Sequence, residues 1–325
     1  MTLAPQIREF FAAAPEAALD SLTVQEQRQR IRYLSDLTYQ RFGRGAEPVA
    51  DVTDYPVPVD GGKITVRAYR PSRQAPLPCH VELHGGGWWL GSIDEDVNEA
   101  ICRYRCLRAN CVIFAVEYRL APEHPFPTAI NDAYAALLWI AGNATQLGVD
   151  AGAISIGGSS AGGNLAAAVT LRARDLAGPP LVFQLLEVLA LDLTGDSMRA
   201  AIATEELAPI AHQLGEFETP LLRYFRDPAE ALLPLASPVL AKDLSGLPPA
   251  HVMTAEYDPL RDEGELYARL LAQAGVQATV TRHAGAIHGT SYLTRVWAPA
   301  REWQREAAAR IKRAHERKGA GKLQW

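Results

Sequence analysis

The chain is poor in cysteine: Cys79, Cys102, Cys106 and Cys111 are the only four among 325 residues, and no two form a Cys-x-x-Cys pair. That spacing excludes the common zinc and dithiol motifs. Cys102 and Cys106 lie four residues apart on an expected helix, and without histidine ligands beside them they read as buried free thiols. Nor does any run approach the roughly 20 apolar residues of a membrane-spanning helix. The first residues, MTLAPQIREFFAAAPEAALD, place Arg8, Glu9, Glu16 and Asp20 where a secretory signal needs an unbroken apolar core. A soluble protein of the reducing cytoplasm is expected. Positive charge is also in short supply: the net charge of -5 speaks against nucleic acid as a partner. The basic ending RIKRAHERKGAGKLQW is explained by a terminal helix that complements its own dipole.

What is present is an ordinary globular balance, 48% hydrophobic and 21% charged. Val52–Val59 and Lys63–Arg70 flank Asp60-Gly61-Gly62 and predict a β-hairpin. Short apolar runs follow at Cys79–Leu83, Cys111–Val116, Ala153–Ile156, Leu181–Leu189, His251–Ala255 and Ala278–Thr281. Helical stretches such as NDAYAALLWIAGNA, NLAAAVTLRARDL and DEGELYARLLAQAG separate several of them. This alternation predicts a parallel sheet with helices on both faces. Two segments break the rhythm. The first 45 or so residues are mostly helical, with a stripe of Ile31, Leu34, Leu37 and Tyr39 or Phe42. Residues 192–236 hold no clear strand and are too long for an ordinary connection, as excursions that cover a site often are. The division expected is an N-terminal helical segment, 1–45, and a catalytic domain, 46–325, with an insertion at about 192–236.

The stretch AISIGGSSAGGNLAAAV, Ala153–Val169, sets two serines at an expected strand-to-helix turn. A nucleophile elbow needs small residues two before and two after its serine, so that the backbone can bend sharply. Ser160 has Gly158 and Gly162 at those positions, whereas Ser159 has Gly157 and Ala161. Register therefore selects Ser160. The helix that follows points its positive end at the turn, where it favours a developing oxyanion. A phosphate-binding Walker loop is excluded, because no Gly-Lys-Ser/Thr follows. Upstream, an expected strand ends in His84-Gly85-Gly86-Gly87, then Trp88-Trp89. Three glycines let backbone amides approach a substrate oxygen, which acyl transfer requires of its tetrahedral intermediate. His84 reads as a brace for that loop rather than as a base.

A serine hydroxyl needs a base, and in elbow hydrolases the partners follow in the order Ser, Asp/Glu, His. Of the histidines after Ser160, His212 falls in the insertion, His251 opens a strand and His315 lies in the terminal helix. His288, in GAIHGTSY, follows the last strand on a glycine-flanked loop and is the choice; His283, closing that strand, is the fallback. Asp258 ends a strand in VMTAEYDPLRDEG, where open α/β sheets gather functional groups. Glu256 points the other way by strand alternation. Asp262 and Glu263 open the next helix, where dipole compensation accounts for them.

Together, HGGGW, GSSAGGN, DPLRDEG and the closing His-Gly, with EYRLAPEHPFPTAINDAYAALLWI at Glu117–Ile140, resemble the hormone-sensitive-lipase family of α/β-hydrolases over about Val81–Gly289. Three departures stand out: Ser159 where the family has aspartate or threonine, Thr290 where phenylalanine is frequent, and no Tyr-Pro after FQLLEV. The last, with DPLRDEG and HGT, is closer to the branch containing a bacterial heroin esterase. The resemblance implies an α/β-hydrolase fold, a mostly parallel eight-stranded sheet with a helical cap from both irregular segments. It implies oxyanion amides from Gly86, Gly87 and Ala161, and offers Trp88, Trp89, Phe10 and Phe11 as candidates for an acyl or alcohol pocket. Large aromatics more often serve core packing.

The expected activity is that of a serine carboxylesterase on short- to medium-chain esters, with Ser160, His288 and Asp258 as triad and no metal or cofactor. An amidase or peptidase is the nearest alternative, because the machinery is shared. A non-catalytic binding protein is the other: plant gibberellin receptors resemble the family but lack its catalytic histidine, which is present here as His288. Two copies could pair through an exposed last strand or through the cap, and nothing in the sequence chooses.

Overall fold

Continuous apolar runs, buried on both sides of each central strand, build a sheet with two covered faces. In the computed structural model, which describes residues 3–13, 19, 21–204, 206–208 and 218–319, strands and helices follow the expected rhythm. Helices α1 (Pro5–Ala13) and α2 (Val24–Phe42) precede the hairpin β1 (Asp51–Val59) and β2 (Gly62–Arg70). Then come β3 (Leu77–Leu83), α3 (Asp96–Ala109), β4 (Val112–Glu117), α4 (Thr128–Gly142), the short α5 (Ala144–Leu147), β5 (Val149–Ser159) and α6 (Ala161–Asp175). After β6 (Phe183–Glu187), the chain makes α7 (Asp196–Ile202) and α8 (Glu218–Tyr224), then β7 (Ala250–Tyr257), α9 (Arg261–Gln273), β8 (Ala278–Ile287) and α10 (Ala298–Gly319).

The eight strands form one sheet in the order β1-β2-β4-β3-β5-β6-β7-β8. β1 and β2 are antiparallel to their neighbours, and all pairs from β4 to β8 are parallel. Side chains split by parity. In β4, Val112, Phe114 and Val116 join the core shared with α4, α6 and α9, while Ile113 and Ala115 join the one shared with α3 and α10. Helices thus cover both faces, as the fold of an α/β-hydrolase requires. All four cysteines are free and buried. No helix among the described residues is long and apolar enough to cross a membrane.

Two readings of the sequence change. In α2, Leu37 is exposed, and the inward face runs through Ile31, Ser35, Tyr39 and Phe42. The serine belongs to that face because its hydroxyl lies 2.7 Å from the Tyr292 hydroxyl, a partner that helical periodicity does not reveal. Glu263 does more than offset a helix dipole. It is 2% exposed and its Oε2 accepts the amides of Leu191 and Asp192 at 2.8 and 2.5 Å, fixing the chain after β6. Burial raises its pKa to about 8.

On the α3/α10 face, Arg105 is 1% exposed and donates to Glu82 Oε2 on β3 at 2.7 Å and to Glu187 Oε2 on β6 at 2.5 Å. The other Glu187 oxygen accepts Trp303 Nε1–H at 2.6 Å. Burial alone would raise the Glu82 pKa, but Arg105 and His80 hold it down to about 2. Its contribution to stability is therefore complete above the ordinary carboxylate range and drains away as the pH falls toward 2. Arg105→Ala leaves two buried carboxylates without their cation and should cost about 3–5 kcal/mol, read as a lower urea midpoint with the slope unchanged.

Candidate active site

β5 ends at Ser159 and α6 begins at Ala161, so Ser160 is the single residue between strand and helix. Its backbone adopts φ 57° and ψ -121°, a conformation that costs a non-glycine residue about 1–3 kcal/mol. Two hydrogen bonds hold it there: Ser160 N–H donates to the Glu187 carbonyl at 2.9 Å, and the Ser160 carbonyl accepts Asn164 N–H at 3.0 Å. The flanking glycines are a steric requirement. A Cβ on Gly158 would stand 2.5 Å from the Gly162 carbonyl carbon, and one on Gly162 would stand 2.0 Å from the Leu83 carbonyl oxygen.

Ser160 Oγ lies 3.0 Å from His288 Nε2, and His288 Nδ1 lies 2.9 Å from Asp258 Oδ2. With Nδ1–H donated to the carboxylate, Nε2 is left to accept the serine proton. Asp258 is 1% exposed, and its second oxygen accepts Leu260 N–H at 3.0 Å, so the carboxylate cannot swing away. Burial opposes a charge on His288, yet the charge and hydrogen bond of Asp258 prevail and raise the imidazole above its ordinary pKa.

A bulge delivers the histidine. Between Ala255↔His283 and Tyr257↔Ile287, β8 carries two residues more than β7, with Gly285 at φ 71°. Glu256 Oε2 accepts Gly285 N–H at 2.5 Å and pins this bulge. Glu256 thus turns to the bulge rather than to His288, although period-two alternation would set it on the same face as Asp258, which lies just past the end of β7; it acts on the site only through the backbone.

Gly86 (φ 123°) and Gly87 (φ 58°) turn the loop after β3 toward Ser160. Among the described residues, no acceptor takes the amides of Gly86, Gly87 or Ala161. Ala161 N–H is one of the four amides that a helix start leaves unpaired. His84 holds this loop from behind: Nδ1 lies 2.8 Å from the Gly85 carbonyl, and the ring stacks on Tyr118 at 4.2 Å. Burial lowers its pKa, so it braces the loop as a neutral ring.

The other expectations sort cleanly. Trp89 lines the cleft over Ser160, with the Arg223 guanidinium 3.8 Å from its ring centroid. Trp88 does not reach the cleft: it is 3% exposed and stacks on Tyr224 in the core at 4.7 Å. Phe10 and Phe11 also stand back from it, Phe10 packing on Phe42 and Tyr292. His251 and His283 both pair with Glu306, and His212 lies outside the described residues. Ser155 lies 2.9 Å from His315, but both are buried inside the fold, and Ser155 is 0% exposed, beyond reach of a substrate. Sequence reasoning missed Glu187, whose carbonyl anchors Ser160, and the role of Glu256 in pinning the bulge. Neither sits in a motif, and both act through contacts with distant segments.

A family model described as the alpha/beta hydrolase fold matches residues 80–291. The carboxylic ester hydrolase LipN of Mycobacterium tuberculosis is 42% identical over 252 residues, 75% of this chain and 65% of LipN, so the match spans slightly under two thirds of that relative. An arylesterase of Saccharolobus solfataricus is 36% identical over 299 residues, 89% of this chain and 92% of its own length. The solved structure of a hyperthermophilic esterase from the archaeon Pyrobaculum calidifontis superimposes with a TM-score of 0.87 at 40% identity, covering 96% of this chain and 99% of that one. With the elbow, the glycine loop and the strand order already in place, these likenesses show that the chain belongs to the α/β-hydrolases, in the hormone-sensitive-lipase family of esterases.

Proposed function

We propose that the chain is a serine carboxylesterase that hydrolyses short- to medium-chain esters through an acyl-enzyme on Ser160. The observation that carries this reading is the continuous line Ser160–His288–Asp258, at 3.0 and 2.9 Å, opening on a cleft of about 640 Å³. His288 Nε2 takes the hydroxyl proton as Ser160 Oγ attacks the ester carbonyl, and Asp258 stabilises the imidazolium. The amides of Gly86, Gly87 and Ala161 receive the oxyanion, a contribution worth about 100-fold or more per donor. His288 then protonates the leaving alcohol, and water hydrolyses the acyl-serine.

The same reading takes residues 1–45 and about 192–236 as a cap on a catalytic domain of residues 46–325. Support comes from the cleft wall, which Gln27 and Ile31 enter from one segment and Pro220 and Arg223 from the other. The two are tied by Arg223 Nη2–H to Gln27 Oε1 at 2.8 Å. Such a cap limits acyl length, with Trp89 as a wall. The substrate is a small ester and not a nucleic acid. Four buried free thiols support a reducing cytoplasm as its place of work. Two copies would pair in a homodimer through the outer edge of β8, the last strand of the sheet, or through the cap.

Ser160→Ala should lower kcat on p-nitrophenyl butyrate by about 10⁴-fold or more with an unchanged melting temperature, and full activity in that variant would refute the assignment. A series of p-nitrophenyl esters should peak at short to medium chains, and a matched anilide should turn over far more slowly; the reverse order would make the protein an amidase. Because the base works only when neutral, a raised His288 pKa sets the acid limb of kcat/KM above the ordinary histidine value of about 6.5. Asp258→Asn removes both raising influences and leaves burial, so the limb should move to lower pH while kcat falls by about 10⁴.

A further inference from the structure

Behind the elbow lies a second, smaller space. A chamber of about 40 Å³ is lined by the Arg105, Glu82 and Glu187 group on one side and by Gly85, Ser159 and His288 on the other. Those last three residues, with Asn98, Ile101 and Ser291, also line the cleft, so chamber and site adjoin. The volume suits roughly two or three water molecules. Its lining is too negative for an anion, because two carboxylates face one guanidinium.

Gln304, on α10, also lines this chamber. It is 5% exposed, and neither its Oε1 nor its Nε2 has a protein partner among the described residues. Arg105 Nε, on a side chain that is 1% exposed, lacks one as well. A buried primary amide with both ends unpaired costs several kcal/mol in a dry interior, so such groups point to bound water. Gln304 and Ile101 further line an outer groove of about 470 Å³ between α3, α10 and the chain after α2. Groove, chamber and cleft are therefore joined by shared lining residues: Gln304 and Ile101 between groove and chamber, and Gly85, Ser159 and His288 between chamber and cleft.

We propose, building on the acyl-serine reading, that this chamber supplies the water that hydrolyses acyl-Ser160, admitted from the groove past Gln304. The water oxygen bonds to the acyl carbon as His288 Nε2 takes one of its protons. The tetrahedral intermediate then collapses, the bond from the acyl carbon to Ser160 Oγ breaks, and His288 returns that proton to Oγ, releasing the carboxylic acid. Gln304 is a positioning residue, acting through the water and touching neither ester nor triad. Ser159 belongs to the partition: a small hydroxyl there keeps the wall thin and polar.

The test is stopped-flow hydrolysis of p-nitrophenyl acetate by the full chain, with Gln304→Leu beside the parent. Acylation, read as the rate of the p-nitrophenolate burst, should stay within about twofold, while the steady state falls by about tenfold. Methanol, which enters by the cleft mouth, should restore turnover in the variant and divert product to methyl acetate. An unchanged steady state, or equal losses in both phases without methanol rescue, overturns the proposal. Failure of the acyl-serine reading is separate: neither protein would then give a burst or an acetyl mass shift on Ser160. Should Gln304→Leu not fold, Cys102→Met fills the chamber from α3, at a residue that does not line the cleft, and is held to the same outcomes.

Discussion

Arg105 reaches across the sheet from α3 and binds Glu82 on β3 and Glu187 on β6, the two strands that flank β5. The strand carrying Ser160 is thus clamped by an ion pair on each side at the end where the chain bends. Glu187 serves twice, since its side chain meets Arg105 and Trp303 while its carbonyl takes the Ser160 amide. A buried triad of charges is seldom a net gain in stability over apolar packing. What it supplies here is position: the ladder ends cannot shift without leaving a charge unpaired in the interior.

That rigidity makes the strained serine tenable. A non-glycine residue at φ 57° persists only where its surroundings over-determine it. Here the glycines on either side permit contact with Leu83, and the hydrogen bonds to Glu187 and Asn164 fix the bend. The opposite wall is built the same way. His288 arrives on a bulge whose extra residues are pinned by Glu256, and Asp258 is locked by the Leu260 amide. Neither device touches the reacting atoms, yet each fixes a distance within the triad.

The buried carboxyls show how environment divides one chemistry into several tasks. Glu82 is held ionised, near 2, by a guanidinium and a histidine, whereas Glu263, with two backbone amides but no cation, is pushed up to about 8. Asp258 meets a histidine instead and raises that ring's affinity for a proton. Only the last of these couples to the serine.

The positions of all eight strands along the chain were legible, because short apolar runs and a glycine-marked hairpin are local properties; their order in the sheet was not. Ser160 was legible too, since the requirement for small residues two positions away is local as well. His288 and Asp258 could be chosen because both follow strand ends, where side chains leave the sheet. Trp88 and Trp89 could not be told apart: adjacent residues of one type diverge only when a loop's backbone, here at φ 61° for Trp88, turns one inward. Ser35 escaped the stripe of α2 because its partner, Tyr292, is more than 250 residues away. The sequence by itself determined the fold class and the place of Ser160 at the elbow, since both rest on spacing along a few neighbouring residues. The tertiary structure alone decided the Arg105 clamp, the pinned bulge and the chamber behind Ser159, since each is a meeting of polar groups from segments that only packing brings within reach.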